Sequence, residues 1–284
     1  MGRLESWEML TELAIGGGVL AGAVAAGYHA MVPGAQLYGR TVRRLDDPRQ
    51  LALTYDDGPN DAWTLRLLEV LARHQVKATF FLIGKYVKAR PDIVRALVEA
   101  GHTIGNHTWD HPNLIFCSPR ETAQQLRNCS AAIADATGAM PVVFRPPFGG
   151  RMPWTLRIAH EQGLTPVMWN VTGYDWNATT GEVIEQRVVR RVQRNGRGGD
   201  VILLHDGGHR GMGAERGHTV EATERILQRY REREFVAVTQ GKQCRVWKDI
   251  AKNSTPKPFS LCENWTGEGA RPHTPVPHGT GGKD

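Results

Sequence analysis

Two histidines four residues apart, in His107-Thr108-Trp109-Asp110-His111, form the first group in this chain able to do chemistry. On a helix or a tight turn, side chains at this spacing reach one point. Together with one carboxylate they make a facial set that holds a metal and leaves positions open for water and substrate. Taken alone, the pair reads equally as two loop histidines. A carboxylate source is Asp56-Asp57, followed by Gly58-Pro59. Side chains alternate along a strand, so these two carboxylates should point in different directions, one to bind metal and the other to stay free as a base. In isolation Asp-Gly-Pro is also plain turn chemistry.

Three further clusters follow. Arg145-Pro146-Pro147-Phe148 is a stiff, extended segment. Its arginine can grip a carboxylate through two parallel N–H bonds, or make an ordinary surface salt bridge. His205 ends the apolar run Val201-Ile202-Leu203-Leu204. A partly desolvated histidine there acts as an acid if a carboxylate keeps it protonated, and Asp175 is a suitable partner. The alternative is a satisfied core histidine. Trp176 either walls a pocket or fills the core.

These clusters need elements to position them. Apolar runs occur at 51–55, 78–83, 102–105, 142–145, 165–171, 200–204 and 235–238, and they read as strands. Amphipathic stretches at 62–74, 90–100, 119–137, 153–162, 181–195 and 217–233 read as helices. Ser118-Pro119-Arg120-Glu121 is a capping box with proline at the first helical position, and Thr179 with Glu182 suggests a second. Gly101, Gly138 and Gly163 follow helical runs where a C-terminal cap wants positive φ. Strands alternating with helices predict a parallel α/β sheet, open or closed into a barrel. Polar clusters follow five of the runs, and loops after parallel strands gather on one face.

The ends of the chain differ from its middle. Residues 13–32, LAIGGGVLAGAVAAGYHAMV, carry no formal charge over a length able to cross a bilayer. Acidic residues before the segment make a poor signal-peptide front, so a retained membrane anchor is expected. Arg40, Arg43, Arg44 and Arg49 follow the segment and only Arg3 precedes it, which would put the domain in the cytoplasm. Residues 249–284 form a Pro/Gly-rich tail, expected to be disordered. The divisions expected are 1–34 for the anchor, 35–248 for the folded domain and 249–284 for the tail.

The chain has 284 residues, with 35 Lys+Arg against 29 Asp+Glu and 4 cysteines. This excludes a disulfide-dense scaffold and a multi-span membrane protein. The small excess of positive charge gives nucleic-acid binding little support. Arg187, Arg190, Arg191, Arg194 and Arg197 fall at helical spacing and read as a solvated face. Cys117 with Cys129, and Cys244 with Cys262, are possible disulfides; four free thiols are the alternative.

Five clusters in this order resemble the polysaccharide deacetylase family, carbohydrate esterase family four, also called the NodB-homology domain. Thr54-Tyr55-Asp56-Asp57-Gly58-Pro59, the His107–His111 cluster, Arg145 to Phe148, Asp175-Trp176 and Leu203-Leu204-His205 are similar to its five motifs. Phe148 stands where tyrosine is commoner. The resemblance implies a distorted (β/α) barrel of about seven parallel strands. It implies a single divalent metal, zinc foremost and cobalt as an alternative, held by Asp57, His107 and His111. Asp56, positioned by Arg145, would take a proton from a metal-bound water that attacks an acetamide carbonyl. The Phe148 backbone N–H would hold the oxyanion. His205, kept charged by Asp175, would protonate the leaving amine. Leu203 and Trp176 would line the slot for the acetyl methyl, and Trp63, Trp109, Tyr174 and Trp176 offer faces for sugar rings. Thr172 departs from the pattern, where a further aspartate is usual. The implied substrate is an N-acetylated glycan: peptidoglycan, a chitin-like oligomer or a lipid-linked glycan. Such a substrate argues for an extracytoplasmic domain, against the arginine asymmetry, and that placement is expected. The competing classes are an inactive carbohydrate-binding protein on this fold and a hydrolase of another C–N or ester bond.

Overall fold

A computed structural model describes residues 2–177 and 179–239, with the helical backbone alone described for 2–14. Helix α1 spans Gly2–Met31. Then follow β1 (Gln50–Gly58), α2 (Trp63–Arg73), β2 (Thr79–Leu82), α3 (Gly84–Ala89), α4 (Pro91–Glu99) and β3 (Thr103–Asn106). After these come α5 (Pro119–Thr137), β4 (Val143–Phe144), α6 (Pro153–Glu161), β5 (Thr165–Pro166) and β6 (Val171–Thr172). The last are α7 (Gly181–Asn195), β7 (Asp200–His205), α8 (Gly217–Arg229) and β8 (Glu234–Phe235). The expected alternation is there, with α3 as a helix the periodicity did not signal.

All strand pairs are parallel, in the order β5-β4-β3-β2-β1-β7-β6, with β8 paired to the start of β1. The apolar run 165–171, expected as one strand, splits into β5 and β6 at opposite ends of this order. From Pro166 to Val171 is five residue steps, a reach of about 18 Å at most. The two outer strands must therefore lie within that distance, and the sheet curls into a half-barrel. Helices cover its outside.

Strand alternation separates two cores. Leu53 and Tyr55 of β1, Phe80 and Leu82 of β2 and Ile202 and Leu204 of β7 pack outward among the helices. Ala52, Phe81, Val143 and Val201 form a smaller cluster with Val42 and Val167, facing inward. Thr54 and Asp56 share the parity of Ala52, and Leu203 and His205 that of Val201, so strand periodicity aims all four into the curl. This is how polar groups come to sit at the mouth of an apolar half-barrel.

The local signals behave as their chemistry requires. Ser118 caps α5 by accepting from Glu121 N, and the Glu121 carboxylate accepts from Ser118 N. Gly101, Gly138 and Gly163 have φ of 79°, 75° and 75°. One cap moves: Thr180, not Thr179, accepts from Val183 N at the start of α7. Thr180 has the extended backbone an N-cap needs.

Candidate active site

The five clusters converge on one end of the curled sheet. At the end of β1 the pairing register with β2 shifts between Asp56 and Gly58, and Asp57 takes a left-handed backbone with φ 71°. Alternation alone would send Asp57 away from Asp56. The bulge instead turns both carboxylates toward His107, whose Nε2 lies 3.8 Å from Asp56 Oδ2 and 3.4 Å from Asp57 Oδ1. The expectation that the pair diverges is thus corrected by an irregularity that strand periodicity does not contain.

Left-handed backbone recurs around the site. Thr108, His111, Phe148 and Tyr174 have φ of 69°, 65°, 57° and 53°, and Gln75 is the other non-glycine case among the described residues. Such conformations cost energy and persist where the surroundings over-determine them, typically at functional positions.

Asp57, His107 and His111 are buried, and their ligand atoms lie within 4.8 Å of one another. His111 Nε2 is 3.1 Å from Asp57 Oδ1. Yet Asp57 Oδ1 has no hydrogen-bond partner. The nitrogens approach the oxygen without hydrogen-bonding it, as donors do when they converge on a common ion. The Nδ1 of His107 faces the Arg145 carbonyl at 2.8 Å, which fixes the ring and leaves Nε2 directed at the cluster. Burial lowers the His111 pKa, so the imidazole is neutral and ligand-ready. Burial opposes ionisation of Asp57, but the surrounding imidazoles His107, His111 and His209 hold its carboxyl well below the usual range. A carboxylate and two imidazoles suit a divalent cation of the zinc type.

Asp56 is gripped by Arg145. The guanidinium is fully buried and Nη1 donates to Asp56 Oδ1 at 2.7 Å and to Thr54 Oγ1 at 2.8 Å. Its other nitrogens reach the carbonyls of Val167 at 3.2 Å and Met168 at 3.1 Å, and it stacks 4.2 Å over the Phe81 ring. Burial pulls the arginine pKa down against the pull of Asp56. The contact to Asp56 is through one nitrogen, not the two-pronged grip that arginine geometry allows. Replacing Arg145 by methionine leaves Asp56 buried without its charge partner, and a loss of about 3–5 kcal/mol is expected in denaturant unfolding. The double variant with Asp56→Asn removes both charges and should recover much of that loss.

On the other side, His205 Nδ1 is 2.9 Å from Asp175 Oδ1, and His205 N donates to Asp175 Oδ2 at 2.7 Å. Thr219 of α8 also donates to this carboxylate, at 2.9 Å. Burial pulls the His205 pKa down, but Asp175 outweighs it and raises it to about 9. Trp176 is 46% exposed and sets its edge against His205, with ring centroids 5.3 Å apart. Tyr174 packs on Trp176 at 5.2 Å and receives a hydrogen bond from Arg191 of α7. Arg187 donates to the Gly173 carbonyl at 3.3 Å. The arginine row expected to be a solvated face is therefore split: Arg187 and Arg191 hold the Tyr174 loop, while Arg190, Arg194 and Arg197 are exposed. Thr172, where an aspartate is usual, accepts from Tyr174 N at 3.2 Å and caps the same turn. Leu203 is buried on β7 beside Thr54 and Thr172. Phe148 is 48% exposed, with its ring 4.6 Å from His111. Trp63 lies under Arg66 and Trp109 is half-buried.

Sequence reasoning groups Asp206 with His205 at a strand end without giving it a role, and it misses His209. His209 stacks on His111 with centroids 4.8 Å apart and brings Nδ1 to 3.8 Å from Asp57 Oδ2. Asp206 is buried under Gly58, its carboxyl raised to about 7 by burial and by Asp57 despite the Thr64 hydroxyl bond. Both follow His205 in the loop after β7, and that placement was the one available signal. Cys117 and Cys129 are free thiols, so that possible bridge is absent; Cys244 and Cys262, and the tail 249–284, lie outside the described residues.

The sequence model of the polysaccharide deacetylase family matches residues 44–167. The peptidoglycan-N-acetylglucosamine deacetylase PgdA of Listeria monocytogenes is 36% identical over 158 residues, 56% of this chain and 32% of that protein. The chain thus spans about a third of that relative's length. A chitooligosaccharide deacetylase of Sinorhizobium fredii is 40% identical over 156 residues, 55% of this chain and 71% of that one. Among solved structures, the Bc1960 peptidoglycan N-acetylglucosamine deacetylase superposes with a TM-score of 0.64 and 32% identity, over 72% of this chain and 94% of that one. On these similarities the chain belongs to the polysaccharide deacetylase family.

Proposed function

We propose that this chain is a metal-dependent N-deacetylase that releases acetate from an N-acetylglucosamine-based glycan. The reading is carried by the orphaned Asp57 Oδ1, buried with imidazole nitrogens 3.1 and 3.4 Å away and no hydrogen bond. Asp57, His107 and His111 would hold the cation, with zinc as the first choice for this donor set. A divalent cation held there polarises a carbonyl oxygen and makes water acidic near neutral pH.

The chain's own groups divide the remaining work. Asp56 has one oxygen held by Arg145 and keeps the other to take a proton from the attacking water. As the water oxygen bonds to the acetamide carbon, negative charge moves onto the carbonyl oxygen, and the Phe148 N–H donates to it. His205 has Nδ1 engaged by Asp175, so Nε2 gives its proton to the nitrogen as the C–N bond breaks. Acetate and a free amino sugar leave. Leu203 and Trp176 line the slot for the methyl group, with Tyr174 holding Trp176 in place.

The substrate class is supported by the names of the relatives, which act on peptidoglycan or chitooligosaccharides. For location we propose an anchor through residues 13–32 and an extracytoplasmic catalytic domain, with 35–248 as the domain and 249–284 as a tail. Among the described residues no helix is long and apolar enough to cross a membrane, and side chains are described only from residue 15, inside the proposed anchor. Residues 15–27 of α1 are uncharged and exposed all round, Ile15, Val19, Leu20 and Val24 each above 60%. A helix apolar on every side is suited to lipid more than to water.

The test is acetate release by the full chain in detergent from N-acetylglucosamine oligomers and from peptidoglycan, metal-stripped and then reloaded with zinc or cobalt. Acetate is expected only after reloading. Equal release from the stripped protein would overturn the metal-dependent reading.

A further inference from the structure

Arg151 is fully buried, yet no carboxylate pairs with it among the described residues. Main-chain carbonyls from two distant segments hold its two Nη nitrogens, while Nε has no hydrogen-bond partner. Nη1 donates to Gly149 O at 2.9 Å; Nη2 donates to Val32 O at 2.8 Å and to Ala35 O at 2.7 Å. Its own N–H donates to Ala30 O at 2.9 Å. Ala30 is in the last turn of α1, where carbonyls lack helical partners and favour a cation. The loop after α1 folds back on the helix, with Val32 N on Tyr28 O at 2.9 Å and the Tyr38 hydroxyl on Ala26 O at 3.1 Å.

The other segment is the turn that carries Phe148. Phe148 and Gly149 are consecutive left-handed residues, φ 57° and 71°. Gly149 has no room to spare: a Cβ there would crowd Trp169 and Met168 at 3.1 and 3.2 Å. Two buried arginines bracket this turn, Arg145 before it and Arg151 after it. Arg145 is engaged with the base. Arg151 grips the turn's own carbonyl and ties it to the end of α1.

We propose that Arg151 is a positioning residue for the oxyanion turn, using the carbonyls of Val32 and Ala35 as its fixed anchor. The N-terminal segment is then a working part of the site and not only a tether. The inference rests on the reading above that Phe148 N–H holds the oxyanion. A donor shifted by a fraction of an ångström in the transition state lowers turnover more than substrate binding.

The experiment compares Arg151→Ala and Arg151→Lys with the unaltered chain, full length and zinc-loaded, on the N-acetylglucosamine pentamer. Zinc affinity is read by chelator competition, and amide exchange is followed at 30–35 and 148–150. For Arg151→Ala we expect kcat to fall about 10–100-fold, with KM and zinc affinity within about threefold. Arg151→Lys should regain part of the loss, because an ammonium reaches some of the same carbonyls. Amides 30–35 and 148–150 should lose protection together. Unchanged kcat in Arg151→Ala would overturn the proposal while leaving the deacetylase reading intact. So would a joint fall of kcat, zinc affinity and melting temperature without rescue by lysine, which marks a general structural role. If alanine does not fold, the lysine variant decides by the same split between kcat and zinc affinity. No acetate from the unaltered zinc-loaded chain would instead remove the deacetylase reading itself, and this inference with it.

Discussion

Replacing His107 by alanine is expected to strip the chain of its divalent cation and to lower acetate release by more than about 100-fold. Losing only the hydrogen-bond partner behind a metal ligand already costs about 10–100-fold in affinity or activity. On the proposed reading His107 is itself a ligand, and its Nδ1 contact with the Arg145 carbonyl also ties the candidate cation site to the segment that holds Asp56. The control is Asp56→Asn. That variant keeps Asp57, His107 and His111, so it should bind zinc with nearly unchanged affinity while losing about 10²–10⁴ in kcat, the usual worth of a positioned base. Zinc titration against a chelator and acetate release on the same samples separate the two. If both variants lose zinc equally, Asp56 is a ligand and the division of labour between the two carboxylates is wrong.

The second large effect is in the pH profile of Asp175→Asn. His205 is held at about 9 because Asp175 outweighs the burial that would otherwise lower it. An acid must be protonated to act, so if His205 is the proposed acid it stays competent through neutral pH in the unaltered chain, and kcat is expected to fall as pH rises through about 9. Asparagine removes the charge but leaves burial in place, so the His205 pKa drops. The descending limb of kcat against pH should move to lower pH, and activity at pH 8 should fall by about 10–100-fold. Stability follows the same sign. A group whose pKa rises on folding contributes stability below its unfolded pKa near 6.5, and that contribution fades as pH climbs through about 9. Denaturant midpoints at pH 6 and pH 10 should therefore differ less in Asp175→Asn than in the unaltered chain. An unmoved descending limb would remove His205 as the acid.

Much of this arrangement is legible in the chain. The strands and helices announce themselves by period, because a half-buried strand repeats every two residues and a helix every 3.6. The cap at Ser118 and the positive-φ glycines at 101, 138 and 163 are local chemistry, set by neighbours within four residues. The cluster residues are legible for the same reason, since polar groups ending apolar strands are out of place unless they are used. What escaped are features with no local cause. The run 165–171 looks like one strand, and only the curl of the sheet breaks it into β5 and β6 on opposite edges. Asp56 and Asp57 look divergent, and only the bulge against β2 turns them together. Arg187 and Arg191 look solvated, and only the position of the Tyr174 loop gives them partners.

By itself, then, the sequence determined the alternating α/β architecture, the five clusters and their family. These are properties of spacing and residue type along a single segment. The tertiary structure alone decided that Asp57 Oδ1 faces two imidazoles without bonding either, that His209 and Asp206 join the site, and that Arg151 binds the end of α1 to the Phe148 turn. Each of these depends on where two distant segments cross, and the closing of a curled sheet brings together residues more than a hundred positions apart.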